Sequence, residues 1–73
     1  MNFKQLRKLN ETKQKTVANA LEVSRISIAN YESGKRQPSI EQLPRIAEIL
    51  NCSIEEVVLA LIETKNQSRE VVR

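Results

Sequence analysis

One stretch decides the fold: EVSRISIANYESGKRQPS, residues 22–39, which holds the chain's only glycine and its only tyrosine. Ser24 is a good helix N-cap, because its hydroxyl can accept from an otherwise free N–H in the first turn. Val23 before it and Ile28 after it occupy the two positions of a hydrophobic staple. Gly34 can take the left-handed conformation that stops a helix. The pattern predicts a helix that starts at Ser24 and ends near Ser33. Each helical residue turns the chain by about 100°, so Ile28 and Tyr31 share a face while Ile26 points about 200° away from Ile28. One of the two isoleucines must look away from the core. A branched apolar residue placed outward, between Arg25 and Ser27, on a helix that runs out into Gly34-Lys35-Arg36, needs a reason.

The preceding residues supply a partner helix. From about Gln14 to Leu21, the residues Val17, Ala18 and Leu21 have the spacing of a buried helical face. Either Thr12 or Lys13 caps its start. Only Glu22 and Val23 join this helix to the next. Two short helices with so tight a connection outline a helix-turn-helix, in which the first helix crosses the DNA backbone and the second lies in the major groove. A helix-helix corner alone is not specific to DNA.

Three more helices complete an all-α chain. The first runs from about Asn2 to Asn10, with Phe3, Leu6 and Leu9 as its apolar stripe. The fourth follows Ser39, which forms a capping box with Gln42. Ile40, Leu43, Ile46, Ala47 and Leu50 line its face, and Pro44 puts the start of regular helix at about Gln42. Asn51 is placed to end it in the left-handed region. The fifth starts at a second capping box, Ser53 with Glu56, and buries Ile54, Val57, Val58 and Leu61. The pattern is lost after Lys65, so the domain is expected to span residues 1–65, with residues 66–73 as a flexible tail. No strand, repeat or linker is expected.

Composition narrows the function. The chain has 73 residues, enough for one domain near the lower size limit for folding without staples. It has one cysteine, no histidine and no aspartate. No internal disulfide or zinc site can be assembled from that inventory, no cofactor is expected, and the usual base of a serine or cysteine triad is missing. These absences argue against an enzyme. No apolar stretch follows the N-terminus and no run is long enough to span a membrane, so a cytoplasmic protein is expected. No small-molecule site is apparent. Charge is uneven: residues 1–38 carry eight Lys or Arg and three Glu, while residues 39–73 carry four and six. A basic half joined to an acidic half suggests a polyanion on one side only, although an unevenly charged solvated surface gives the same count.

Between residues 3 and 62 the chain resembles the helix-turn-helix domain of phage repressors and Cro, the XRE-like type. The resemblance rests on Leu6-Arg7, Gln14, Val17-Ala18 and Leu21-Glu22-Val23-Ser24. It continues through Ile28, Tyr31-Glu32-Ser33-Gly34-Lys35-Arg36, Pro38-Ser39, Leu43-Pro44-Arg45-Ile46-Ala47 and Leu50-Asn51-Cys52-Ser53. It implies a compact five-helix, lambda-repressor-like domain with its helix-turn-helix at the second and third helices. The chain departs from the pattern at Glu22 and Glu11, where the family usually has glycine, and at Thr12, where it usually has an apolar residue.

The resemblance also implies roles. Arg25, Ile26, Ala29 and Asn30 would face base edges: Arg pairs with guanine, Asn with adenine, and an apolar group meets a thymine methyl. That gives Ile26 its reason, although a scattered surface isoleucine is common and Arg25 is as suited to a phosphate. Gln14 and the N-terminus of the second helix would hold a phosphate, with Ser24, Ser33, Lys35 and Arg36 as further phosphate contacts. Lys13 and Lys15 either assist or simply confer solubility. Arg7 and Glu32 would form a structural ion pair. Tyr31 is read as core with its hydroxyl at the rim, where it could touch a phosphate, and Cys52 as core packing rather than a redox sensor. Leu59 and Ile62 lie off the core face of the last helix and would form a homodimer interface, unless the tail covers them. The expected function is a sequence-specific, repressor-like regulator binding a (pseudo)palindromic double-stranded DNA operator as a dimer. A restriction-modification controller or an antitoxin would share this chemistry. The rival reading is a protein-interaction module that kept the fold.

Overall fold

Most helices here begin at a side chain that reaches back to the free N–H groups of the first turn. The computed structural model describes the backbone of residues 1–72 and the side chains of residues 1–68. It contains α1 (Phe3–Leu9), α2 (Gln14–Leu21), α3 (Arg25–Ser33), α4 (Leu43–Ile49) and α5 (Ile54–Val72), with a single 3-10 turn (Ile40–Gln42) leading into α4. No strand forms among the described residues. Asn2 and Gln5 make a reciprocal capping box for α1, with both bonds at 2.8 Å. Ser24 accepts from the Ser27 N–H. The Ser39–Gln42 and Ser53–Glu56 boxes form at the 3-10 turn and at α5. Helices α4 and α2 are the exceptions: Gln42 precedes α4 and Lys13 precedes α2, each without a side-chain cap bond, and the Thr12 hydroxyl donates to the Asn10 carbonyl instead.

Three helices end in the same way. After α1, α2 and α4 the chain turns through a left-handed residue: Glu11 (φ 53°), Glu22 (φ 58°) and Asn51 (φ 55°). At each, the next residue's N–H returns to a carbonyl five residues back: Thr12 to Arg7, Val23 to Ala18, and Cys52 to Ala47. This is the Schellman closure, which satisfies carbonyls that a helix end otherwise leaves free. Helix α3 ends at Gly34 (φ 85°).

The core gathers Phe3 and Leu6 from α1, Val17 and Ala18 from α2, Ile28 and Tyr31 from α3, Ile46, Ala47 and Leu50 from around α4, and Val57, Ala60 and Leu61 from α5. Leu21, Val23, Leu43, Ile49 and Cys52 pack around it. Some residues expected in the core lie outside it. Leu9 is exposed, and the buried neighbour of Leu6 is Arg7. Ile40 (83% exposed) and Ile54 open their helices at the first position, beyond the edge of the core.

Helix α5 does not stop where the apolar pattern stops. It continues to Val72, with no glycine or proline to interrupt it. Contacts distant in sequence hold its later turns: the buried Thr64 hydroxyl accepts from the Phe3 N–H at 2.9 Å, and past residue 65 the Gln67 side-chain oxygen accepts from the Asn2 side-chain amide at 2.9 Å. Part of the tail expected from residue 66, namely Arg73 and the side chains of residues 69–73, lies outside the described residues. Among the described residues, no helix is long and apolar enough to cross a membrane.

Candidate nucleic-acid interface

Helix α3 presents two unlike sides. Ile28 and Tyr31 are buried, whereas Ile26 is 66% exposed and Arg25 and Ser33 lie in the open. Ala29 and Asn30 are half-buried on the same outward side. Among the described residues the Asn30 side chain makes no hydrogen bond, so its amide donor and acceptor are both unspent. The Tyr31 hydroxyl is committed inward: it donates to Gln42 Oε1 at 3.2 Å, the same oxygen that caps the 3-10 turn.

Behind this surface runs a chain of polar contacts. Arg7 and Glu32 form an almost wholly buried ion pair through Arg7 Nε, and Arg7 also donates to the Thr12 carbonyl at 2.7 Å. Buried charges persist only when paired and hydrogen-bonded in this way. Glu32 accepts a second donor, the Gln14 amide nitrogen, at 2.8 Å. That contact fixes which way the amide points, since its nitrogen must face the carboxylate. The Gln14 oxygen is thereby turned outward, where it accepts from the Arg25 guanidinium at 3.1 Å. The first reading residue expected on α3 is thus tied, through α2, to a charge pair rooted in α1. Sequence reasoning missed this link, because Gln14 and Arg25 sit on different helices and no periodicity joins them.

Cationic and donor groups flank α3. The start of α2 has no side-chain cap, and the exposed Lys13 and Lys15 stand beside it. The Gln14 side chain, expected from sequence to be a phosphate ligand, is engaged at both ends of its amide by Glu32 and Arg25. Past the other end of α3, Lys35 and Arg36 are exposed on a loop whose N–H groups bond to Ser33 Oγ and to the Asn30 carbonyl. The Ser24 hydroxyl caps α3, and the Ser33 hydroxyl donates to the Asn30 carbonyl.

Away from α3, Leu59 and Ile62 are exposed on α5. Ile62 borders a shallow groove of about 200 Å³ lined also by Pro38, Ile40, Leu43, Val58 and Leu61. Apolar spacing places Ile40 in the core, whereas it lies exposed at the rim of this groove. Burial, and then the nearby Glu56 carboxylate, push the Cys52 thiol up from its ordinary range. The reactive thiolate is disfavoured, and the sulfur serves as packing.

A short helix, a tight corner with Glu22 in the left-handed region and a second helix with one side open make this a helix-turn-helix domain. The helix-turn-helix family matches residues 3–57, from α1 into the first turn of α5. The chain belongs to that family, as a DNA-binding domain of the Cro/C1 type. It is similar to the HTH-type transcriptional activator BcrR of Enterococcus faecalis, at 36% identity over 71 residues, which is 90% of this chain and 35% of that protein. No solved structure matches it.

Proposed function

We propose that this chain is the sequence-specific DNA-binding part of a transcription regulator. In this reading it binds a double-stranded, (pseudo)palindromic operator as a homodimer in the cytoplasm. The observation that carries the reading is the outward side of α3. Arg25, Ile26, Ala29 and Asn30 stand together there, with Ile26 largely exposed and the Asn30 amide unspent. Arg25 suits guanine, Asn30 suits adenine, and Ile26 and Ala29 suit thymine methyl groups. The uncapped start of α2, with Lys13 and Lys15, and the Lys35–Arg36 loop flank that surface, as phosphate contacts must if they are to set its register.

The exposed Leu59 and Ile62, the latter beside the apolar groove, support a two-fold pairing through α5, which would mirror the two half-sites. Repression needs only occupancy of DNA by such a dimer. Activation is the second reading, supported by the activator named above. A protein-interaction module is disfavoured by the basic α3 surroundings, and low retention on heparin would speak for it; an antitoxin-type partner that binds DNA would share the α3 surface.

The test separates reading from holding. Duplexes selected from a random pool supply the preferred sequence. Asn30→Ala is expected to cost about 1–3 kcal/mol per half-site on that sequence, with little loss on random DNA and an unchanged salt slope. Lys35→Ala is expected to weaken both DNAs alike and to flatten the salt slope by roughly 0.9 for each phosphate no longer neutralised. An Asn30→Ala chain that keeps the full ratio between the two DNAs removes α3 as the reading helix.

A further inference from the structure

The place where α3 ends against α5 gives a residue far along the chain a part in DNA binding. We propose that Ser68 is a positioning residue for the Lys35–Arg36 phosphate contacts. The inference rests on the reading of that loop given above. A Cβ added at Gly34 would lie 2.8 Å from Ser68 Cβ, and 3.3 Å from both Ser68 Oγ and the Thr64 carbonyl oxygen. The loop backbone therefore sits directly on α5, with no room for a methyl group between them.

The loop's own restraints are weak. The Lys35 N–H reaches Ser33 Oγ at 3.4 Å and the Arg36 N–H reaches the Asn30 carbonyl at 3.3 Å. Both exceed the usual range for such bonds. The hard stop comes from α5, and α5 is itself pinned at this level. Thr64 bonds to the Phe3 N–H and to the Ala60 carbonyl, each at 2.9 Å, and Gln67 accepts from Asn2. A phosphate contact from a lysine or arginine needs a separation of about 2.7–2.9 Å. Displacing the loop by the width of a side chain replaces such contacts with water. The small, half-buried Ser68 keeps the loop at the distance where Lys35 and Arg36 reach a backbone gripped by α3.

The experiment uses the full chain and a short random-sequence duplex, titrated at several salt concentrations, with helicity followed in parallel. Ser68→Ala, which keeps the Cβ, is expected to match the parent. Ser68→Leu is expected to stay helical, to bind several-fold more weakly and to flatten the salt slope by roughly 0.9 for each phosphate left without its cation. Added to a Lys35→Ala/Arg36→Ala chain, it is expected to weaken binding no further, because the cations it misplaces are already gone. Where Ser68→Leu fails to fold, Ser68→Val is held to the same outcomes. A Ser68→Leu chain with the parent slope, beside a flattened Lys35→Ala/Arg36→Ala chain, overturns the inference alone. A Lys35→Ala/Arg36→Ala chain with the parent slope overturns the phosphate reading of the loop and the inference with it.

Discussion

Compare the corner before α3 with the exit after it. Both turn through the left-handed region, Glu22 at φ 58° and Gly34 at φ 85°. The corner carries a glutamate, exposed to solvent, and tolerates the strain of a side chain there. The exit carries the chain's one glycine. Conformation alone does not explain the difference, since Glu11 and Asn51 also adopt positive φ with side chains attached. Space does. At Gly34, α5 lies so close that a Cβ would overlap it. A left-handed residue costs roughly 1–2 kcal/mol when it is not glycine, and a small domain can absorb that. A Cβ placed 2.8 Å from the Ser68 Cβ cannot be absorbed without moving α3 or α5.

Substitutions at these turns can break this comparison. The largest effect is expected at the exit. Gly34→Ala combines left-handed strain with overpacking and should destabilise by about 2–3 kcal/mol. For a domain of this size that lowers the melting temperature by roughly 10–20 °C. Ser68→Gly in the same chain should recover the overpacking share, visible as a coupling in the double-mutant cycle. Additive costs would mean that the strain of φ, and not the closeness of α5, requires the glycine. At the corner the sign reverses. Glu22→Gly should relieve strain and stabilise by about 0.5–1 kcal/mol, read as a rise in melting temperature of a few degrees. A melting temperature at or below the parent's would show that the corner costs nothing as it stands. The smallest change is expected at Asn51→Gly, within about 0.5 kcal/mol either way, because asparagine already tolerates the left-handed region.

The parts of the fold legible in the sequence were the local ones. The Ser39–Gln42 and Ser53–Glu56 boxes and the Ser24 cap each lie within four residues, and each forms as spaced. The outward direction of Ile26 follows from counting residues along one helix. What failed to show was settled across helices. Thr64 and Gln67 of α5 bond to Phe3 and Asn2 at the other end of the chain, contacts that the apolar spacing along α5 does not show. Gln14 carries the right group for a phosphate, yet nothing near it in the chain shows that Glu32 and Arg25 engage both ends of its amide. Ile40 and Ile54 follow the apolar spacing of their helices, but that spacing does not say where the core's edge falls.

The chain of contacts from Arg7 through Glu32 and Gln14 to Arg25 bears on how a domain like this one could change its target. Ile26, Ala29 and Asn30 stand outside that chain. On the proposed reading, their side chains can be exchanged for others and the preferred sequence rewritten with little consequence for folding. Arg25 has no such freedom, because its bearing is inherited from a carboxylate buried at the other end of the same helix. The reading surface would then hold one letter fixed by the architecture and three open to revision. Regulators drifting from one promoter to another would be expected to keep the base opposite Arg25 and to diverge at its neighbours.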